Sequence, residues 1–126
     1  MSVGRGGVCR LIFSDANSVL FEYYAYNSAN QLSRRNFDGL MEIKSNCFRE
    51  PRISKKGKKI IEYSGYFVSE AIKLGHIFVI DSSYCIHKTE GVGSMAFCLC
   101  CKIIETYQRT GKVPDEIGIH LVMKER

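Results

Sequence analysis

Between Ser94 and Thr110 apolar side chains recur at helical spacing, and the residues that follow forbid the helix from continuing. Ala96, Leu99, Cys100, Ile103 and Tyr107 fall on one stripe of an α-helix. Ser94 is of a type that caps helix N-termini. Gly111 and Pro114 end the element, because glycine takes the left-handed conformation that closes a helix and proline cannot extend one. The period then switches. Ile117, Ile119, Leu121 and Met123 alternate with Gly118, His120 and Val122, the pattern of a closing strand with one buried face. A one-sided helix followed by a one-sided strand needs a sheet to bury both, which points to an α+β domain.

The sheet is expected to be mainly antiparallel. Val8 to Phe13 is a short apolar run, and Ser14 to Ser18 carries turn chemistry. Val19 to Tyr26 alternates, with Leu20, Glu22, Tyr24 and Tyr26 on one side and Val19, Phe21, Tyr23 and Ala25 on the other. The two runs read as an N-terminal aromatic hairpin. Asn27 to Asn36 reads as a polar loop, and Leu40 to Lys44 as a third strand entered through the turn Asp38-Gly39. Ile60 to Leu74 carries two patterns. Phe67, Ala71 and Leu74 suit a helix, whereas Tyr63, Gly65, Tyr66 and Val68 suit a strand. A helix from about Ser64, closed by Gly75, is the favoured reading. Ile77 to Ile80 reads as a short buried strand, and the helix from Ser94 is expected to pack across one face of the sheet.

The chain has 126 residues, room for one domain over 1–126, with the glycine-rich residues 1–7 expected to be loose. A hydrophobic fraction of 45% supports a packed core and argues against disorder. No apolar run approaches the ~20 residues that span a bilayer. Met1 to Gly7 holds no apolar stretch of signal-peptide length. The expectation is a cytoplasmic protein, free of membrane, whose six cysteines are mostly reduced, small hydrophobes. Cys98, Cys100 and Cys101 lie within the helix, so a metal site is not expected there, and Cys85 with His87 offers no second clean pair of ligands. Cys85 beside a histidine (His76, His87 or His120) is the one nucleophile candidate, but no matched partner or nucleophile elbow accompanies it. No catalytic residue is assigned.

Net charge is +5, from 18 Lys+Arg against 13 Asp+Glu, an excess that suits an acidic partner. It is concentrated between Arg52 and Lys59, with Lys55, Lys56 and Lys58, and is joined by Arg34 and Arg35 in an earlier loop. Together with the tyrosines, these seven basic residues form the candidate partner-binding set, since tyrosine and arginine combine contact area with hydrogen bonding. The same lysines, with Tyr23, Tyr24, Tyr26, Tyr63 and Tyr66 for stacking, also suit a nucleic-acid-binding regulator.

Two resemblances add to this. Lys88-x-x-Gly91-x-Gly93, followed by Ser94 at the helix start, resembles the coenzyme-A loop of the acetyltransferase superfamily, with Lys88 where that family has Gln or Arg. It implies a shortened coenzyme-A-dependent N-acyltransferase holding acetyl-CoA at Lys88, Gly91, Gly93 and Ser94 through N–H groups at the helix start. Tyr24-x-Tyr26, then Phe37-Asp38-Gly39-Leu40-Met41-Glu42-Ile43, and Gly111-Lys112-Val113-Pro114 resemble small bacterial α+β proteins of the toxin-immunity type. That resemblance implies an intracellular inhibitor that neutralises a cognate toxin without a cofactor. The preferred expectation is this protein-binding role, with the acyltransferase and the nucleic-acid regulator as alternatives.

Overall fold

The computed structural model describes residues 2–27, 37–50, 52–60, 64–82 and 88–124. Strand β1, Ser2–Ser14, turns at Asp15 into β2, Ser18–Asn27. The turn is made by Asp15 itself. Its Oδ1 accepts the N–H groups of Asn17 (2.8 Å) and Ser18 (2.9 Å), and these bonds hold its carboxyl below the usual carboxylate range. Next come β3, Gly39–Lys44, a single 3₁₀ turn at Ser45–Cys47, and a hairpin of β4, Arg52–Ile53, and β5, Lys59–Ile60. Helix α1, Ser64–Lys73, leads into β6, Ile77–Ile80. A second small hairpin, β7 at Lys88–Thr89 and β8 at Val92–Gly93, opens directly into helix α2, Ser94–Thr110, and β9, Glu116–Lys124, closes the fold.

The main sheet has five strands in the order β6-β3-β2-β1-β9, every neighbouring pair antiparallel. This is the expected α+β architecture, with the N-terminal hairpin at its heart. The start of the chain is part of the sheet. Residues 2–7 belong to β1: Ser2 to Gly4 pair with β9 alone, and from Arg5 on the strand is paired on both sides, with Gly6 opposite Tyr26 and His120, and Gly7 opposite Ala25 and Ile119. Glycine there serves close packing. A Cβ on Gly7 would stand 2.5 Å from Met95 Cγ, where α2 crosses β1.

One face of the sheet is sealed by the helices. Cys9, Val19, Phe21, Tyr23, Met41, Ile43, Ile77 and Ile117 point to that side and share a core with Val68 and Ala71 of α1 and Ala96, Leu99, Cys100, Ile103 and Ile104 of α2. Alternation in the strands and the helical stripe in α2 meet there, and burying each large aliphatic side chain stabilises the fold by about 1.5–3 kcal/mol. Tyr107 of the expected stripe is only half-buried. Gln108 is buried in its stead, with Nε2 donating to the Arg49 carbonyl and Oε1 left without a partner.

The helix ends follow local chemistry. Gly75, at φ +76°, closes α1: its N–H reaches the Ile72 carbonyl (3.1 Å), while the His76 N–H reaches that of Ala71 (2.8 Å). Gly111, at φ +75°, closes α2 on the Tyr107 carbonyl. The helical alternative for 64–74 is thus the one realised. The strand at Ile77–Ile80 is not fully buried as expected. It is an edge, with Ile77 in the core and Phe78 and Ile80 exposed.

Candidate interaction surface

The basic run folds as a hairpin instead of an open loop. Arg52 pairs with Ile60 and Ile53 with Lys59. Ser54 organises the tip. Its carbonyl accepts the Gly57 N–H (2.9 Å), its N–H donates to the Lys58 carbonyl (2.8 Å), and its Oγ accepts the Lys58 N–H (3.1 Å). Gly57, at φ +78°, takes the left-handed position that a turn with a glycine bulge requires. Lys55, Lys56 and Lys58 are therefore displayed on a hydrogen-bonded frame, exposed, and none forms an ion pair with a described residue. Ile53 beside them is 70% exposed, an apolar residue that the sequence reading passed over. Arg34, Arg35 and Tyr63 lie outside the described residues. Of Arg52 and Lys59 the backbone pairing alone is described.

The loop at Lys88, Gly91, Gly93 and Ser94 is a tight β-hairpin. Glu90 (φ +55°) and Gly91 (φ +82°) are its two left-handed turn residues. The Gly93 N–H donates to Asp81 Oδ1 at 2.7 Å, and Lys88 Nζ stands 3.5 Å from Asp81 Oδ2. Asp81, at the end of β6, thus brings a carboxylate of the chain itself to the start of α2, where the helix dipole favours negative charge. Ser94 does not cap the helix with its side chain. Gly93 is the N-cap, and Ser94 Oγ is 2.9 Å from Thr89 Oγ1. Asp81 was missed in the sequence because nothing local marks it; only the fold brings it across to Gly93.

The face of the sheet away from the helices carries a run of ring contacts. Arg10 bonds Glu22 and lies 4.0 Å over the Phe37 ring, which packs edge-on against Tyr24 at 4.8 Å. Tyr26 lies next to Tyr24 and stacks on His120, its hydroxyl 2.7 Å from His120 Nδ1. Two residues of the Phe37 to Ile43 segment have packing roles here. Phe37 covers Tyr24, and Gly39 leaves room for the Tyr23 ring, whose Cε1 would lie 2.2 Å from any Cβ there. Tyr23 itself is buried, its hydroxyl accepting the Ser82 N–H at 2.9 Å, so it is unavailable for stacking. Tyr24 is nearly buried, whereas Tyr66 on α1 is exposed.

The cysteines divide. Cys9, Cys47 and Cys100 are buried in the core, Cys101 is half-buried, and Cys98 is exposed, unlike the others and unlike the expectation of burial. Burial pushes the thiols of Cys9 and Cys101 up to about 12 and those of Cys47 and Cys100 upward as well, so none of these four is a thiolate at neutral pH. Cys85 and His87 lie outside the described residues. Among the described residues, no three of His, Cys, Asp and Glu are grouped so as to hold a metal ion, and no helix is long and apolar enough to cross a membrane. No family model, no curated protein and no solved structure matches this chain.

Proposed function

We propose that this chain is a small protein-binding inhibitor, of the toxin-immunity kind, that engages an acidic surface of its partner with the β4–β5 hairpin. The observation that carries the reading is the display of Lys55, Lys56 and Lys58 without an acidic partner among the described residues, next to the exposed Ile53. Four other described cations are paired, Arg10 on Glu22, Lys73 between Glu70 and Glu90, Lys88 on Asp81 and Arg109 on Glu105, while Lys44, Lys102 and Lys112 have no ion pair with a described residue but stand singly in the chain, not clustered on one turn. Unpaired lysines on a framed turn raise the encounter rate with an oppositely charged surface, and an apolar neighbour supplies contact area once docked. The partner class, a toxin domain, comes from the resemblance at Tyr24-x-Tyr26 and Phe37 to Ile43.

The test begins with affinity purification from the native host, using the wild-type chain and the Lys55→Glu/Lys56→Glu/Lys58→Glu variant as parallel baits. Association rates are then measured with the captured protein between about 25 mM and about 500 mM salt. The proposal expects a protein retained by the wild type and lost by the variant, with an on-rate that falls by tenfold or more across that range. An on-rate indifferent to salt, or a retained nucleic acid in place of a protein, would overturn it.

A further inference from the structure

One edge of the main sheet is strand β6. Among the described residues it is bonded to β3 and to no strand on its other side. The Lys44 N–H donates to the His76 carbonyl, and Leu40, Glu42 and Lys44 stand opposite Ile80, Phe78 and His76. In an antiparallel ladder bonded pairs alternate with non-bonded ones. His76, Phe78 and Ile80 therefore turn their backbone groups toward β3, and Ile77 and Val79 turn theirs outward. No described backbone group meets Ile77 or Val79 on that side. The edge also lacks the usual protection. Ile77-Phe78-Val79-Ile80 has no charge and no proline, whereas the opposite edge, β9, carries Glu116, His120 and Lys124.

We infer that a second copy of this chain pairs with β6, antiparallel about a two-fold axis at Val79, to make one continuous sheet across two molecules. Register selects the geometry. A slip by one residue would set exposed side chains against core-facing ones. With the axis at Val79, its N–H and C=O bond those of Val79 in the second copy, and Phe78 lies opposite Ile80 of that copy in a non-bonded pair, where side chains approach most closely. An axis at Phe78 would instead leave Ile80 facing His76. Charge permits the arrangement. Glu42 is the acid beside Phe78 in its row, and the positions that follow across the junction are Ile80 and Leu40 of the second copy, so no like charges meet.

Area sets the strength. Phe78 and Ile80 are 61% and 50% exposed, about 200 Å² per copy. With the strand backbone, the interface stays below roughly 1,200 Å² in total, the weak class, so dissociation falls on the order of 100 μM.

The test is sedimentation velocity of the full chain from about 5 μM to about 1 mM, combined with amide hydrogen exchange at both ends of that range. The expected result is a sedimentation coefficient that rises from monomer to dimer, with the Ile77 and Val79 amides protected only at high concentration. Phe78→Lys sets a charge against the apolar Ile80 of the second copy. Val79→Pro removes an outward N–H without touching a bond to β3. Each weakens dimerisation at least tenfold while circular dichroism stays that of the wild type. A monomer at about 1 mM, or a dimer that survives both folded variants, would overturn the inference.

Discussion

Gly39→Ala tests the packing logic of the sheet most directly. The backbone at Gly39 lies outside the left-handed region, so alanine meets no conformational penalty there. The obstacle is the Tyr23 ring: the new Cβ would stand 2.2 Å from Cε1, 2.6 Å from Cδ1 and 2.7 Å from Cζ. The ring must therefore retreat by about an ångström to regain ordinary contact, in a core packed as densely as an organic crystal. Such overpacking costs about 1–3 kcal/mol. The retreat also pulls the hydroxyl off the Ser82 N–H, and Ser82 is itself buried. An orphaned buried donor adds about 1–3 kcal/mol, and the stiffer unfolded chain offsets about 0.4–1 kcal/mol of the total. The net loss is roughly 3 kcal/mol. At a urea slope of about 2 kcal/mol/M for a domain of this size, the unfolding midpoint drops by about 1.5 M. Tyr23→Leu removes the ring edge, so in that background Gly39→Ala becomes nearly neutral, and the double-mutant cycle returns a coupling of about 2 kcal/mol or more. A midpoint within about 0.5 M of wild type for the single variant, or additivity in the cycle, would refute the argument.

Four further outcomes follow from the same geometry. Leu99→Ala, at a fully buried position of α2, loses about 3–5 kcal/mol in urea unfolding, because the cavity is walled by both sheet and helix. Asp81→Asn keeps an acceptor for the Gly93 N–H and gives up only a partly exposed ion pair, so it loses under about 1 kcal/mol, whereas Asp81→Ala also strips the helix start and loses about 1–2 kcal/mol by thermal unfolding. A maleimide reagent at neutral pH modifies Cys98 fast in the folded protein and Cys9 and Cys100 only on unfolding, as read by intact mass and peptide mapping. The Cys9 thiol, raised by burial from 9.0 to about 12 in the folded chain, keeps its proton longer in the native state. Stability from that neutral thiol is whole below about pH 9 and drains away as pH climbs toward about 12, and Cys9→Ala flattens the alkaline limb of the stability curve.

Much of the fold was legible in local patterns. Residue by residue, Ser94 to Thr110 is the helix its stripe and its terminal glycine describe, and Gly75 closes α1 with the backbone geometry that only glycine supplies cheaply. The hairpin of β1 and β2 follows from Asp15 and from alternation in Val19 to Tyr26. These signals are short-range: periodicity, turn chemistry and left-handed glycines are properties of a few consecutive residues. The basic cluster of the candidate surface was visible for the same reason, since Lys55, Lys56 and Lys58 are neighbours in the chain.

Other features exist only once distant segments meet. Gly6 and Gly7 look like a loose leader in sequence, yet the central position of β1 makes them packing residues, because β2 and β9 supply a ladder on each side. The Ile77 to Ile80 run looks buried, but strand order places it at the edge and exposes Phe78 and Ile80. Asp81 reaches Gly93, and Arg10 reaches Phe37, across separations that no local pattern spans. Sequence periodicity determines which face of an element is apolar. Strand order and long-range electrostatics decide whether that face is covered and which charge answers which, and these depend on the whole chain closing at once.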